Sequence, residues 1–279
     1  MADDPAPRPV EGGEPVVELL AAEWSVLAEL LAGLPDDDWQ RPALPGWTVH
    51  DVVAHVIGGE RMLSGAPRPE LAPEPDGGAA HVRNDIGRFN EAWVAALRPL
   101  SPAEMLTALR DVTAERLAAL RSMSSAELDA PSWTPAGQGT YRRFMEIRVF
   151  DTWMHEQDIR TAVGRAGHES GPVAEQALAE VVGALGYIVG KRVGAPDGSG
   201  VCIVLTGPIE RELCVAVEGR AKVVPSLAAA PTASITLSSS LFLRLAGGRQ
   251  DPDEALDGVQ LGGDPTLARS LATRLAYTI

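Results

Sequence analysis

The chain changes character near residue 164, and that break limits it to a fold of two unlike parts. All six tryptophans, Trp24, Trp39, Trp47, Trp93, Trp133 and Trp153, lie before it. Ahead of the break, long apolar-rich runs read as helices; behind it, short apolar runs appear, one of them bounded by glycines as strands are. The stretch from Gly164 to Gly171, GRAGHESG, has the glycine content of a linker. A length of 279 residues is itself a prior for two domains. Each is large enough to bury a working core without disulfides or a metal staple.

In the first part, Val16 to Leu34 is a long apolar-rich run. Thr48, with Asp51 three residues on, gives the second helix a start that resembles a capping box. His81 to Leu97 reads as a third. Ser101-Pro102-Ala103-Glu104 opens a fourth that runs to about Met123, with Ser as cap, Pro at the first helical position and Glu closing the box. A further helix spans Thr140 to Val163. Long helices and short loops predict an antiparallel bundle. In the second part Val173 to Val193, Leu241 to Gly247 and Pro265 to Tyr277 read as helices, and Val201 to Leu205, Leu213 to Val217 and Ser234 to Leu237 as strands. The class is α+β with a small sheet.

The segment Thr140 to Arg160, TYRRFMEIRVFDTWMHEQDIR, carries the chemistry. On a helix, residues three and four apart share a face. Phe144, Ile147, Asp151, Met154, His155 and Asp158 then form one stripe whose apolar members point it at the core. Buried charges are costly unless paired or bound to metal. Asp151 and His155, an i, i+4 pair, can converge on one point, and their oxygen and nitrogen both suit zinc. The same spacing also serves an ion pair or a satisfied core histidine. A third ligand must come from another helix, and His55, flanking the apolar stripe Val49, Val52, Val53, Val56 and Ile57, is the candidate. His50, in the first turn, is expected at the surface. The string His155-Glu156-Gln157-Asp158-Ile159 lacks the second histidine of the H-E-x-x-H protease motif.

Composition narrows the partners. The net charge of −14 comes with no basic run, so a nucleic-acid partner is not expected. An acidic substrate would need a local arginine. Cys202 and Cys214 lie in strand-like runs and read as two buried core thiols, with no framework for a disulfide. Residues 1–14 are expected to be a disordered tail, since the start lacks the positive charge and apolar core of a signal peptide. No run of about 18 uninterrupted apolar residues offers a membrane span, and a cytoplasmic location is expected.

Three stretches carry a resemblance to a known family: PGWTVHDVVAHVIGGE from Pro45 to Glu60, RVFDTWMHEQDIRTAVGR from Arg148 to Arg165, and LFLRLAGGRQDPDEAL from Leu241 to Leu256. On these residues the chain resembles the mycothiol-dependent maleylpyruvate isomerase family. The resemblance implies a DinB-like metal-binding antiparallel four-helix bundle over residues 15–165 and an α+β domain similar to sterol-carrier proteins over 171–279. It implies His55, Asp151 and His155 as ligands of a divalent metal, zinc by donor preference, with Asp158 orienting a ligand histidine. It also implies Arg249 as a residue important for activity, suited to clamp a carboxylate, although a solvated loop arginine would read the same. Mycothiol would be the cosubstrate and a small acidic or electrophilic molecule the substrate, for cis-trans isomerisation or thiol S-transfer by a monomer or homodimer. Asp151 departs from the pattern, since the characterised isomerase type has Glu there. The alternative from another class is a non-catalytic metal-binding protein whose C-terminal domain holds an apolar ligand; a fourth protein ligand, His50 or Glu60, would point that way.

Overall fold

The computed structural model describes residues 14–70, 81–82 and 84–278. The expected tail lies outside the described residues except Glu14, whose carboxylate meets Arg142 at 2.6 Å. Two compact units divide at residue 167, Met1–Gly167 and His168–Ile279.

The N-terminal unit begins with α1 (Pro15–Ala32), opened by proline in its first turn. A hairpin of β1 (Pro42–Leu44) and β2 (Trp47–Thr48) follows. Thr48 then caps α2 (Val49–Leu63): its side chain accepts from the Asp51 N–H and the Asp51 carboxylate accepts from the Thr48 N–H, a complete capping box. The helix expected from His81 starts at Asp85 instead, because Asn84 supplies the cap; α3 covers Asp85–Leu97. The box at Ser101 and Glu104 opens α4 (Pro102–Ser122). After the short α5 (Ser125–Leu128) comes a second hairpin, β3 (Pro131–Thr134) with β4 (Gly137–Thr140), and Thr140 caps α6 (Tyr141–Val163). Gly164 stops α6 in the left-handed conformation, at φ 69°.

The two hairpins are additions to the sequence reading, which assigned only helices here. Each delivers the chain into the first turn of α2 or α6. Both therefore fix where a candidate ligand helix begins. The first hairpin turns at Gly46, with φ +80°, where a Cβ would fall within 2.2 Å of the His81 ring, so only glycine fits.

Leu27, Leu31, Val52, Val53, Val56, Ile57, Leu97, Met105, Leu109 and Ile159 form one apolar cluster shared by α1, α2, α3, α4 and α6. Burying aliphatic side chains contributes about 1.5–3 kcal/mol each before entropy is counted.

The C-terminal unit opens with α7 (Pro172–Tyr187), which continues as a π-helical turn to Val193. By length and composition the helix from Pro172 to Val193 could cross a membrane; half of it is buried in the protein. The five-stranded sheet holds β5 (Gly200–Thr206), β6 (Arg211–Glu218), β7 (Arg220–Val224), β8 (Ala233–Ser238) and β9 (Gln260–Gly263) in the order β7-β6-β5-β8-β9. Among the described residues only β5 and β8 run parallel. Between them the chain forms the β6–β7 meander and crosses back. Helices α8 (Ser239–Ala246) and α9 (Pro265–Thr273) complete the unit. The architecture is α+β. The strands absent from the sequence reading, β7 and β9, are the two edges. Edge strands bury little and are blunted with charge or glycine, and Arg220-Ala221-Lys222 and Gly262-Gly263 give no alternating signal.

Candidate metal centre

Helix α6 is more deeply buried than its sequence stripe suggested. Met145, Val149, Thr152, Glu156 and Ile159, again at three- and four-residue spacing, are fully inaccessible. The expected stripe runs beside them: Phe144, Met154, His155 and Asp158 are buried, while Ile147 and Asp151 are partly exposed. The fully buried line includes the polar Thr152 and Glu156, so apolar periodicity found a buried flank and not the deepest line. That flank carries the polar groups.

His55 from α2 meets Asp151 and His155 there. His55 Nε2 lies 3.6 Å from Asp151 Oδ2, and His155 Nε2 lies 3.7 Å from Asp151 Oδ1. The two imidazole rings stand edge to face at 4.7 Å. One donor atom from each of the three residues falls within 4.8 Å of the others. On a tetrahedral ion with bonds of about 2.0–2.2 Å, neighbouring donors sit about 3.3–3.6 Å apart. The group would have to contract to hold such an ion.

The remaining atoms of these three side chains are also positioned. Asp158 Oδ2 sits 3.1 Å from His155 Nδ1. A proton on Nδ1 leaves the Nε2 lone pair facing Asp151 and His55. The Trp47 indole covers His55, with ring centroids 5.4 Å apart. It is held in turn by its Nε1–H, which donates to Glu91 Oε2 at 3.0 Å. Glu91 also meets His81 at 3.1 Å and Arg98 at 3.0 Å.

Electrostatics complete the arrangement. Arg148 Nη1 donates to Asp151 Oδ2 at 2.5 Å, and Arg148 Nε and Nη2 reach Glu60 Oε1 at 2.9 and 2.8 Å. Arg116 Nε donates to the other Glu60 oxygen at 3.1 Å. Burial pushes the Asp151 carboxyl up, but Arg148, His155 and His55 together outweigh burial and hold it well below the usual carboxylate range. Burial lowers the His55 imidazole despite the neighbouring Asp151. The carboxylate is therefore ionised and His55 neutral at pH 7, the protonation states a metal requires.

Sequence reasoning missed Arg148, Arg116 and Trp47 as parts of this site. Arg148 stood three residues before Asp151, on the same helix face, and that spacing was the available signal. Its partner Glu60, weighed as a fourth ligand, instead has both oxygens on arginines. Gly59 makes room for it, since a Cβ there would lie 3.0 Å from the Arg148 guanidinium. His50, expected at the surface, is buried: its Nε2 meets the Leu100 carbonyl at 2.8 Å and its ring packs edge-on against Trp39. The partner that made burial affordable came from a distant turn, which no local pattern reveals. Arg249 belongs to the C-terminal unit, just after α8, where Nη1 donates to the Gly247 carbonyl at 2.7 Å. An open groove of about 520 Å³ on α4, lined by Arg61, Glu104, Asp111 and Glu115 among others, contains none of the donors. Its acidic rim suits no acidic substrate.

The family profile described as "Mycothiol maleylpyruvate isomerase N-terminal domain" matches residues 20–160, and the one described as "MDMPI C-terminal domain" matches residues 175–270. The chain belongs to the mycothiol-dependent maleylpyruvate isomerase family. A crystal structure of the mycothiol-dependent maleylpyruvate isomerase is similar, with TM-score 0.56 and 18% identity over 88% of this chain and 91% of that one. A structure of a histidine-to-alanine mutant of the mycothiol-dependent maleylpyruvate isomerase aligns over the same shares, at TM-score 0.54 and 18% identity. At that identity the likeness speaks for the fold. No curated protein matches the chain. The family takes its name from an enzyme, and this member has a three-residue metal-capable group in its N-terminal unit.

Proposed function

We propose that this protein is a metal- and mycothiol-dependent enzyme in which His55, Asp151 and His155 hold one divalent ion, zinc by the chemistry of the donors. The observation that carries this reading is the convergence of the three donors within 4.8 Å. Asp158 backs His155 at 3.1 Å. When bound, the metal lowers the pKa of a thiol at the position that three protein ligands leave open.

The chain's own residues set up that chemistry. Arg148 keeps Asp151 ionised and fixes one of its oxygens. Asp158 fixes the His155 tautomer. Trp47 shields His55 and restricts water on that side. Asp151, with its side chain one-third exposed, marks the side open to solvent. The reaction read from the family name is addition of the mycothiol sulfur to the cis double bond of an acidic substrate such as maleylpyruvate. Rotation about the resulting single bond and loss of the same thiol then give the trans isomer and return the cosubstrate. Arg249 is the proposed clamp for a substrate carboxylate. Transfer of the thiol to an electrophile would use the same groups.

The test is elemental analysis of untagged protein, with His55→Ala and Asp151→Ala alongside, followed by assay of maleylpyruvate with and without mycothiol. About one zinc per chain, lost in both variants, and conversion only with the thiol are expected. Folded, metal-supplemented wild type that retains no ion would sink the proposal. A stable thioether product instead of the trans isomer would make the enzyme a transferase.

A further inference from the structure

The C-terminal unit holds a second reactive group. Strands β5 and β6 place Cys202 directly opposite Cys214. The Gly200 carbonyl accepts from the Thr232 N–H at 2.7 Å, away from β6, while the Val217 N–H donates to the Ser199 carbonyl at 2.9 Å. Hydrogen-bonded and non-hydrogen-bonded pairs alternate along an antiparallel ladder. The pair 200/216 is thus non-hydrogen-bonded, and so is 202/214, two residues further on. At such pairs the Cα atoms approach to about 4.5 Å, within the about 4.4–6.8 Å that a disulfide spans.

Both thiols are free and buried, and their sulfurs lie 3.0 Å apart. Val201, Ile203 and Leu205 point to the deeply buried face of the sheet. Cys202 shares the other face with half-buried Val204 and exposed Thr206, which leaves a short path for a small molecule. Glu212 Oε1, 3.5 Å from Cys214 Sγ, makes the cluster capable of holding a metal as well. Two sulfurs on one tetrahedral zinc would stand about 3.8 Å apart with bonds of about 2.3 Å. The observed sulfurs are closer than that, which favours a bond between them over a shared ion.

We propose that Cys202 and Cys214 are a redox pair, converted by a peroxide into a disulfide that joins β5 to β6. Burial, Cys214 and the Glu212 charge push the Cys202 thiol up to about 12; either sulfur of the facing pair can start the reaction as its thiolate and reach the same disulfide, for example Cys214. Its thiolate takes one peroxide oxygen, the O–O bond breaks, and the departing hydroxide gains a proton to leave as water. Cys202 sulfur then attacks the resulting sulfenic sulfur, the S–O bond breaks, and the second oxygen leaves as water with the Cys202 proton. The pair loses two electrons and the peroxide becomes two waters. Glu212 damps the process by opposing negative charge on sulfur.

The experiment treats the full-length protein with hydrogen peroxide and follows denatured thiol titration and non-reducing intact mass. Both thiols should disappear together, the mass should fall by two hydrogen atoms, the chain should stay free of intermolecular crosslinks, and dithiothreitol should reverse the change. The melting temperature should rise by several degrees, because the crosslink restricts the unfolded chain. Glu212→Gln should reach the same end point several-fold faster. Persistent oxygen adducts without the mass loss, crosslinked dimers, two intact thiols, or zinc retained by the pair would each overturn the proposal. So would an unchanged rate in Glu212→Gln.

Discussion

The two units bury polar side chains by opposite rules. Of the buried polar or charged residues among those described, fifteen lie in the N-terminal unit, among them Glu23, His55, Glu60, Arg116, Arg148, His155, Glu156 and Asp158; the C-terminal unit has Ser199 and Ser239. The sheet of the second unit is an apolar core with satisfied ladders. The bundle of the first encloses a charge network that Glu60, Arg116, Arg148 and Asp151 neutralise among themselves. An ion pair taken out of water recovers its desolvation cost only with good geometry. Pure stability would be served as well by leucines. The difference teaches that the two cores are built from different material: the bundle encloses a fixed set of paired charges, and the sheet does not.

The strongest way to break that contrast is Glu60→Ala. It removes the carboxylate shared by two buried guanidinium groups, leaving Arg148 with Asp151 and Arg116 with only the Tyr141 hydroxyl, and should cost about 3–5 kcal/mol of stability. Ser239→Ala in the other unit removes only the acceptor of the Ile209 N–H at 3.1 Å and should cost about 1 kcal/mol. Urea unfolding of both variants decides it, and similar losses in the two would erase the distinction.

Asp158→Asn sharpens the contrast at the site itself. The amide keeps the size but weakens the hold on His155 Nδ1. Metal affinity should fall by about 10–100-fold, measured by competition with a chromophoric chelator, with melting of the metal-free protein little changed. Unaltered affinity would reduce Asp158 to a local ion pair.

The smallest effect concerns pH in metal-free protein. The folded pKa of His55 lies below its ordinary value because burial disfavours the cation. The unfolded chain therefore takes up the proton first, and stability falls as pH drops through about 6.5. Asp151 acts in the same direction only in acid: its depressed carboxyl stabilises above the ordinary carboxylate pKa, and the contribution is lost as pH falls through the folded value. His55→Gln should flatten the slope between about pH 7.5 and 5.5, as followed by denaturant midpoints; a slope equal to wild type would remove His55 as its source.

How legible the site was depended on the range of each interaction. Asp151, His155 and Asp158 were readable together because helical spacing puts them on one face. His55 was a candidate from its place beside the apolar stripe of α2, and the resemblance strengthened it. Arg148 shares the helix with Asp151, yet its value lies in Glu60, 88 residues away, and Trp47 gains its role from Glu91 on α3.

By itself the sequence determined the caps of α2 and α4, the periods of the long helices, and the apolar runs of the central strands, because these are local matters of hydrogen bonding and spacing. Tertiary structure alone decided the edge strands β7 and β9, the burial of His50 and the charge network around Asp151. Each of these depends on partners brought together by packing, and the free energy of a buried charge is set by its neighbours in space rather than along the chain.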